Sequence, residues 1–117
     1  MASNLTLREL DAWLAEHAMG WILTQPLRPG QCQYWRDNDD RWRRDAMWSP
    51  TTDWRAAGEL MEAMRERGVP IYVGPYDLRP WTAWGPEHDG SAPTFSAEGA
   101  TGPEAIALAA YAALGGE

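Results

Sequence analysis

Residues 32–48 read CQYWRDNDDRWRRDAMW, and they give the first evidence about the fold of this chain. Two aromatic-rich runs, 32–36 and 41–48, flank the polar run Asp37-Asn38-Asp39-Asp40, whose side chains favour a tight turn. The pattern therefore predicts a β-hairpin. Alternation along its second strand predicts two faces, with Trp42, Arg44, Ala46 and Trp48 on one and Arg43, Asp45 and Met47 on the other.

Three helices are predicted around this hairpin. The first has Thr6 and Glu9 as a capping box and ends at Gly20. The second follows a helix-start signal over 49–53 and runs to about Arg67. The third, from 104 to 114, follows a second capping box (Thr101 with Glu104) and is apolar nearly all round, which is typical of a helix buried on more than one side. Apolar residues recur at helical spacing on the first helix, at Leu7, Leu10, Trp13, Leu14 and Ala18. The buried stripe expected on the second helix consists of Ala57, Leu60, Met61 and Met64.

The remaining segments predict a loop and further short strands. Prolines 26 and 29 predict a loop over 21–30. Short strands are expected over 70–73, 78–84 and 94–97, with an interruption at Gly74-Pro75. Sequential strands joined by short turns pair antiparallel, and three amphipathic helices can cover both faces of such a sheet. The chain is therefore expected to be one domain over 1–117 of mixed α/β (α+β) class, a three-layer α/β/α sandwich with three helices and a mainly antiparallel sheet of four to five strands.

Composition and charge restrict the classes of function. The chain has eight tryptophans, one cysteine and a net charge of −7, and all ten basic residues are arginines. Residues 28–55 carry about +1 and the remainder about −8, an asymmetry typical of a binding surface on an acidic body. This balance argues against general binding to phosphate backbones. The single cysteine and the lack of a membrane-spanning run favour a cytoplasmic protein without membrane contact.

One segment carries a resemblance to a known family. Residues 10–21 read LDAWLAEHAMGW and resemble the N-terminal helix of the phage ABA sandwich domain family, with its methionine-glycine-tryptophan ending. The helix entry over 49–53 and the segment from Phe95 to Ala105-Ile106 are also similar to that family. The resemblance implies a small cytoplasmic phage or prophage protein with a three-layer fold, and it supplies no catalytic residues. The hairpin departs from the family pattern in its richness in tryptophan and arginine.

The hairpin and the start of the second helix form the predicted binding surface. Tryptophan and arginine are enriched at interaction hot spots, and they also stack on the bases of single strands. The alternative is that alternate tryptophans belong to the core and the arginines pair with nearby aspartates. The candidate residues are Trp35, Arg36, Arg41, Trp42, Arg43, Arg44, Trp48, Trp54 and Arg55.

No catalytic, cofactor-binding or metal-binding motif is predicted. The run 37–40 superficially resembles a calcium loop, but the required glycine and glutamate positions are Trp42 and Trp48, so a solvated turn is expected. The borderline metal ligands His17, Cys32 and His88 have no ligand spacing. Acid–base side chains at 87–89 lie in a polar loop, where surface charge is expected.

Three functions follow from these features, in decreasing order of preference. The first is a non-enzymatic interaction protein that binds a host or phage protein through the Trp/Arg hairpin. The second is a nucleic-acid-directed role, either single-strand binding or inhibition of a host nuclease by acidic phosphate mimicry. The third is an enzyme or small-ligand binder with an aromatic pocket. The apolar last helix leaves a homodimer open as well.

Overall fold

The computed structural model describes residues 5–24, 33–76, 79–86 and 95–116. These ranges contain three helices, six strands and a short 3-10 turn. In chain order they are α1 (Leu7–His17), β1 (Ile22–Thr24), β2 (Tyr34–Arg36), β3 (Trp42–Arg44), the 3-10 turn Asp45–Met47, α2 (Trp54–Glu66), β4 (Tyr72–Tyr76), β5 (Arg79–Trp84), β6 (Ser96–Gly99) and α3 (Gly102–Ala113).

The capping box predicted for α1 is confirmed. The Thr6 hydroxyl accepts a hydrogen bond from the Glu9 amide at 3.1 Å, and the Glu9 carboxylate accepts one from the Thr6 amide at 2.8 Å. Gly20 follows the end of the helix with a φ of +73°, a backbone conformation that glycine adopts without steric cost. Both ends of α1 are therefore determined by residues within three positions of the helix.

The starts of α2 and α3 differ slightly from the predicted capping. Residues 49–52 form a turn, and Asp53 is the N-cap whose carboxylate accepts from the Arg55 and Ala56 amides. In α3 the Thr101 hydroxyl accepts from the Glu104 amide at 3.3 Å. The Glu104 carboxylate accepts from the Ala100 amide instead of returning to Thr101, so this box is not reciprocal. On α2, Ala57, Leu60 and Met64 are fully buried as predicted, whereas Met61 is half-buried.

The strands form two antiparallel three-stranded sheets, β1-β2-β3 and β4-β5-β6. The mixed α/β class, the three helices and the antiparallel pairing are thus confirmed, with three plus three strands in place of one sheet of four to five. β1 lies inside the predicted loop, because proline restricts only itself and the residue before it, and β1 ends before Pro26. β4 continues through Gly74-Pro75 with a register irregularity after Pro75. Proline is tolerated there because β4 is an edge strand.

Helix α3 lies between the second sheet and the other two helices. It contacts β4, β5 and β6, and it also packs against α1 and α2. The predicted burial on more than one side is confirmed, since Ala105, Ile106, Ala107, Ala109 and Ala110 are inaccessible to solvent. Most of the apolar surface of α3 is therefore buried inside this chain, and a homodimer stays a prediction. No helix in the described part of the chain combines the length and apolarity needed to cross a bilayer.

The hairpin between β2 and β3 closes with a left-handed residue. The Asp37 carbonyl accepts from the Asp40 amide at 3.0 Å, and Asp40 has a φ of +66°. The Asp37 carboxylate accepts from the amides of Asp39 and Arg41, each at 2.9 Å. The predicted turn over 37–40 is confirmed, and the carboxylate oxygens of Asp37 are occupied by hydrogen bonds of the hairpin itself.

The left-handed position of Asp40 leads to a stability prediction. We expect Asp40→Ala to be less stable than Asp40→Gly by about 1 kcal/mol, because a Cβ is disfavoured at positive φ and aspartate is better tolerated there than alanine. Both variants lose the exposed Arg36–Asp40 ion pair. The difference between their free energies of unfolding therefore reports the cost of the left-handed backbone conformation alone. Urea denaturation of the two variants measures it, and equal midpoints would contradict the prediction.

Candidate interaction site

The first sheet separates the hairpin side chains onto two faces. The register pairs Trp35 with Arg43 and with Leu23 of β1, so these three side chains share the inner face. The residues that precede or follow them on each strand point to the opposite face. We call this the outer face, defined by Ile22, Tyr34, Arg36, Trp42 and Arg44.

Trp35 on the inner face belongs to the core. Its side chain is only 2% exposed, and its indole Nε1 donates to the Asp45 carboxylate at 2.7 Å. The hydrogen bond satisfies the one polar atom that burial of the ring would otherwise leave unpaired. Its predicted place on a contact surface is therefore wrong.

Arg43 holds the hairpin against α2. Its guanidinium lies 4.6 Å from the centroid of the Trp21 ring, donates to the Asp37 carboxylate at 3.0 Å and pairs with Glu59 at 2.9 Å. The hydrogen bond from the Arg41 amide, with that from Arg43, holds the pKa of Asp37 below its usual range. Asp37 therefore stabilises the fold above its unfolded pKa, and this contribution is lost as the pH falls through its folded pKa. Arg43 has a structural role.

Trp48 lies in the core because the second strand ends early. The alternation predicted up to Trp48 holds only to Arg44, because the 3-10 turn Asp45–Met47 rotates the side chains that follow. Trp48 is 2% exposed, donates from Nε1 to the Asp11 carbonyl at 2.8 Å, and meets the Trp21 ring edge-on at 4.6 Å. Its predicted place beside Trp42 on one face is therefore wrong.

The outer face retains an exposed ring and free positive charge. Trp42 is 54% exposed, with the Arg36 guanidinium 5.0 Å from its ring centroid and the Tyr34 ring edge-on at 6.1 Å. Arg36 is paired with Asp40 at 2.9 Å. Arg44 and the neighbouring Arg41 are exposed, and no acidic side chain in the described ranges forms an ion pair with either.

Trp54 and Arg55 lie elsewhere, at the start of α2. The Trp54 ring is 53% exposed, packs edge-on against Trp81 of β5 at 5.5 Å, and covers Gly102 at the start of α3. Arg55 is exposed and forms no ion pair with the described residues. The nine predicted residues thus fall into three groups. The outer face and its neighbour Arg41 contain four of them, the inner face and the core contain three, and the second patch contains two. In that order they are Arg36, Arg41, Trp42 and Arg44, then Trp35, Arg43 and Trp48, then Trp54 and Arg55.

Of the acid–base and metal-ligand candidates, only His17 lies in the described part of the chain. His17 is stacked on Trp13 at 4.2 Å, and its Nδ1 lies 2.9 Å from the Trp13 carbonyl oxygen. Cys32 and the run 87–89 lie outside the described residues, and the described ones contain no group of three metal-ligating side chains. A depression of about 490 Å³ between α1, α2 and the hairpin turn is lined by glutamates 59, 62 and 66 and by Arg67, with no aromatic ring.

Two members of the outer face were absent from the predicted surface. Tyr34 could have been found, because it has the same parity as Arg36 on the predicted first strand. Ile22, which is 69% exposed, could not, because its strand lies in a segment predicted as a loop.

Comparison of the chain with family models, with curated proteins and with solved structures gave no match. The evidence for the candidate site therefore comes from the sequence and geometry of this chain.

Proposed function

We propose that this chain is a small non-enzymatic interaction protein, of phage or prophage origin, that binds a host or phage protein in the host cytoplasm. Binding takes place through the outer face. The observation that supports this most is the exposure of Trp42. Its side chain is 54% exposed, whereas the two other tryptophans of the hairpin segment, Trp35 and Trp48, are each 2% exposed.

The frame around Trp42 favours binding by reducing its entropic cost. The Arg36 guanidinium and the Tyr34 ring both contact the indole, and Trp35 anchors the neighbouring strand from inside the core. A side chain that is already ordered loses little conformational freedom when a partner covers it. Tryptophan in such a setting is typical of interaction hot spots.

The charge around the outer face favours a protein partner over nucleic acid. Arg41 and Arg44 supply positive charge locally, with no ion pair to the described residues, whereas the whole chain carries −7. A phosphate backbone of any length would be repelled by the acidic body, but a compact acidic patch on a protein meets only the local arginines. The phage origin is supported by the resemblance over 10–21, where the predicted helix and its glycine ending are present.

A paired substitution tests the outer face against the second patch. We expect Trp42→Ala with Arg44→Gln to reduce partner capture at least about 30-fold, the effect of losing roughly 2 kcal/mol at a hot spot. The matched control is Trp54→Ala with Arg55→Gln, because Trp54 has nearly the same exposure, 53% against 54%. Quantitative pull-down from host lysate, with affinity measured on the captured protein, gives the comparison. Loss of capture in the control pair alone would move the site to α2.

Single-strand binding is the second candidate, because an open indole near the exposed guanidinium of Arg44 also suits a nucleic-acid base and its phosphate. Fluorescence anisotropy with a labelled oligothymidylate tests it. Binding that weakens steeply with salt and is lost in Trp42→Ala would favour this role over a protein partner.

A further inference from the structure

The hydrogen-bond pattern of the hairpin shows which backbone groups of β3 point away from β2. The Asp37 amide donates to the Arg41 carbonyl and the Asp45 amide donates to the Gln33 carbonyl, both at 2.9 Å. In an antiparallel pair, hydrogen-bonded and non-hydrogen-bonded positions alternate. The Trp35–Arg43 position is therefore hydrogen-bonded, and the positions of Trp42 and Arg44 are not.

The backbone groups of Trp42 and the N–H of Arg44 consequently project from the open side of β3. β3 is the last strand of its sheet, and no described strand pairs with that side. Trp42 presents both its N–H and its C=O there, and Arg44 presents its N–H, because the Arg44 C=O begins the 3-10 turn Asp45–Met47. These three groups give an added antiparallel strand one complete hydrogen-bonded pair at Trp42 and one further hydrogen bond at Arg44. The side chains of both residues are on the outer face, next to the place where the side chains of an added strand would lie.

We propose that an extended acidic segment of the protein partner adds to β3 as a fourth strand. This inference rests on the proposed function and specifies how the partner is held. Main-chain hydrogen bonds to Trp42 and Arg44 would provide affinity, as in other cases of strand addition. Carboxylates on the segment pair with Arg41 and Arg44, and an apolar side chain covers the exposed part of Trp42.

The same charges disfavour the other occupants of this edge. Two copies of the chain pairing through β3 would bring Arg41, Arg43 and Arg44 of one copy against those of the other, and like charges across strands are destabilising. Arginines on an edge strand are a common guard against such self-pairing. A single-stranded nucleic acid would satisfy the arginines, but it cannot form the alternating main-chain ladder.

Amide hydrogen exchange on the unaltered protein tests the ladder directly. The probe is a capped hexapeptide of sequence threonine-glutamate-threonine-valine-glutamate-threonine. When it adds antiparallel to β3, its second, fourth and fifth residues lie opposite Arg44, Trp42 and Arg41. The control peptide carries lysine in place of both glutamates. We expect saturable binding of the acidic peptide with a Kd at or below about 1 mM. The amides of Trp42 and Arg44 then become protected, whereas the Arg43 amide is already protected without peptide. Absence of binding, or binding without this alternating protection, overturns the proposal.

A proline substitution separates the backbone contribution from the charge. Arg44 has a φ of −66°, which proline adopts without strain, and its N–H points away from the sheet, so Arg44→Pro is compatible with the hairpin. The control Arg44→Gln loses the same charge and keeps the N–H. We expect Arg44→Pro to bind the acidic peptide at least about fivefold more weakly than Arg44→Gln does. The exchange experiment uses the unaltered protein, so its result does not depend on how well the proline variant folds.

The outcomes distinguish this inference from the proposed function. If Trp42→Ala with Arg44→Gln abolishes capture but Arg44→Pro and Arg44→Gln bind equally, the outer face is retained and strand addition is overturned. Protection of the Trp42 and Arg44 amides that depends on protein concentration, without peptide, would instead identify a second copy as the occupant and overturn it too. If the variant Trp42→Ala with Arg44→Gln still captures the partner, the proposed function itself is contradicted.

Discussion

Replacing Trp48 with alanine is expected to lower the free energy of unfolding by about 3–5 kcal/mol. The ring is 2% exposed, so its removal leaves a cavity beside Trp21, and the Asp11 carbonyl loses its hydrogen-bond donor. A domain of this size is stabilised by only about 5–15 kcal/mol in total. The variant should therefore be close to the limit of folding at 25 °C.

The segment around Trp48 has further links to α1 that increase the expected loss. Arg8 donates to the Trp48 carbonyl at 3.0 Å and to the Asp45 carbonyl at 2.7 Å, and Asp11 accepts from the Thr51 amide at 3.0 Å. These contacts join α1 to the chain about 40 residues later. Removing the ring that lies between them weakens the connection between α1 and the first sheet.

Trp42→Ala is the matched control for Trp48→Ala, since it makes the same change six positions earlier. Trp42 is 54% exposed, and its ring contacts within the described residues are with Arg36 and Tyr34, so we expect a loss of about 1 kcal/mol or less. Urea denaturation followed by circular dichroism gives both values. A similar loss in the two variants would contradict the assignment of Trp48 to the core and of Trp42 to the outer face.

Gly99→Ala is expected to destabilise the protein by about 1–3 kcal/mol, through lack of space. A Cβ at this position would lie 2.6 Å from the Ala105 backbone nitrogen and 3.0 Å from the Glu104 backbone carbon. These atoms belong to the first turn of α3, whose position is held by the Thr101 cap. The turn can move away only by separating α3 from β6, so the extra methyl group cannot be accommodated locally.

Gly58→Ala is the control for this prediction. Gly58 lies inside α2, and nothing is within 4 Å of the place where its Cβ would be. Alanine is a better helix former than glycine, so we expect this change to stabilise the protein by up to about 1 kcal/mol. Thermal or urea denaturation should therefore shift in opposite directions for the two glycine-to-alanine variants. A Gly99→Ala variant as stable as the parent would show that β6 and α3 are not in close contact.

Local features of the fold were predictable because their causes lie within a few residues. The Thr6 capping box and the aspartate turn over 37–40 each form hydrogen bonds inside a five-residue window. The early end of β3 was not predictable, because residues 45–47 continue the alternating pattern in sequence. Arg8, 37 positions away, donates to the Asp45 carbonyl at 2.7 Å and holds that turn.

Residue types and their spacing are enough to predict the mixed α/β class, the Thr6 capping box, the hairpin turn and the concentration of positive charge near it. Which rings of the hairpin segment are buried depends instead on how the distant parts of the chain pack together. Trp35, Trp42 and Trp48 are equivalent as residue types, but Trp35 finds Asp45 and Trp48 finds the Asp11 carbonyl as buried acceptors. The Trp48 acceptor is 37 residues away, and Trp42 points to the face that no described element covers. Burial of an indole requires such a partner, and a partner distant in sequence is supplied only by the packed fold.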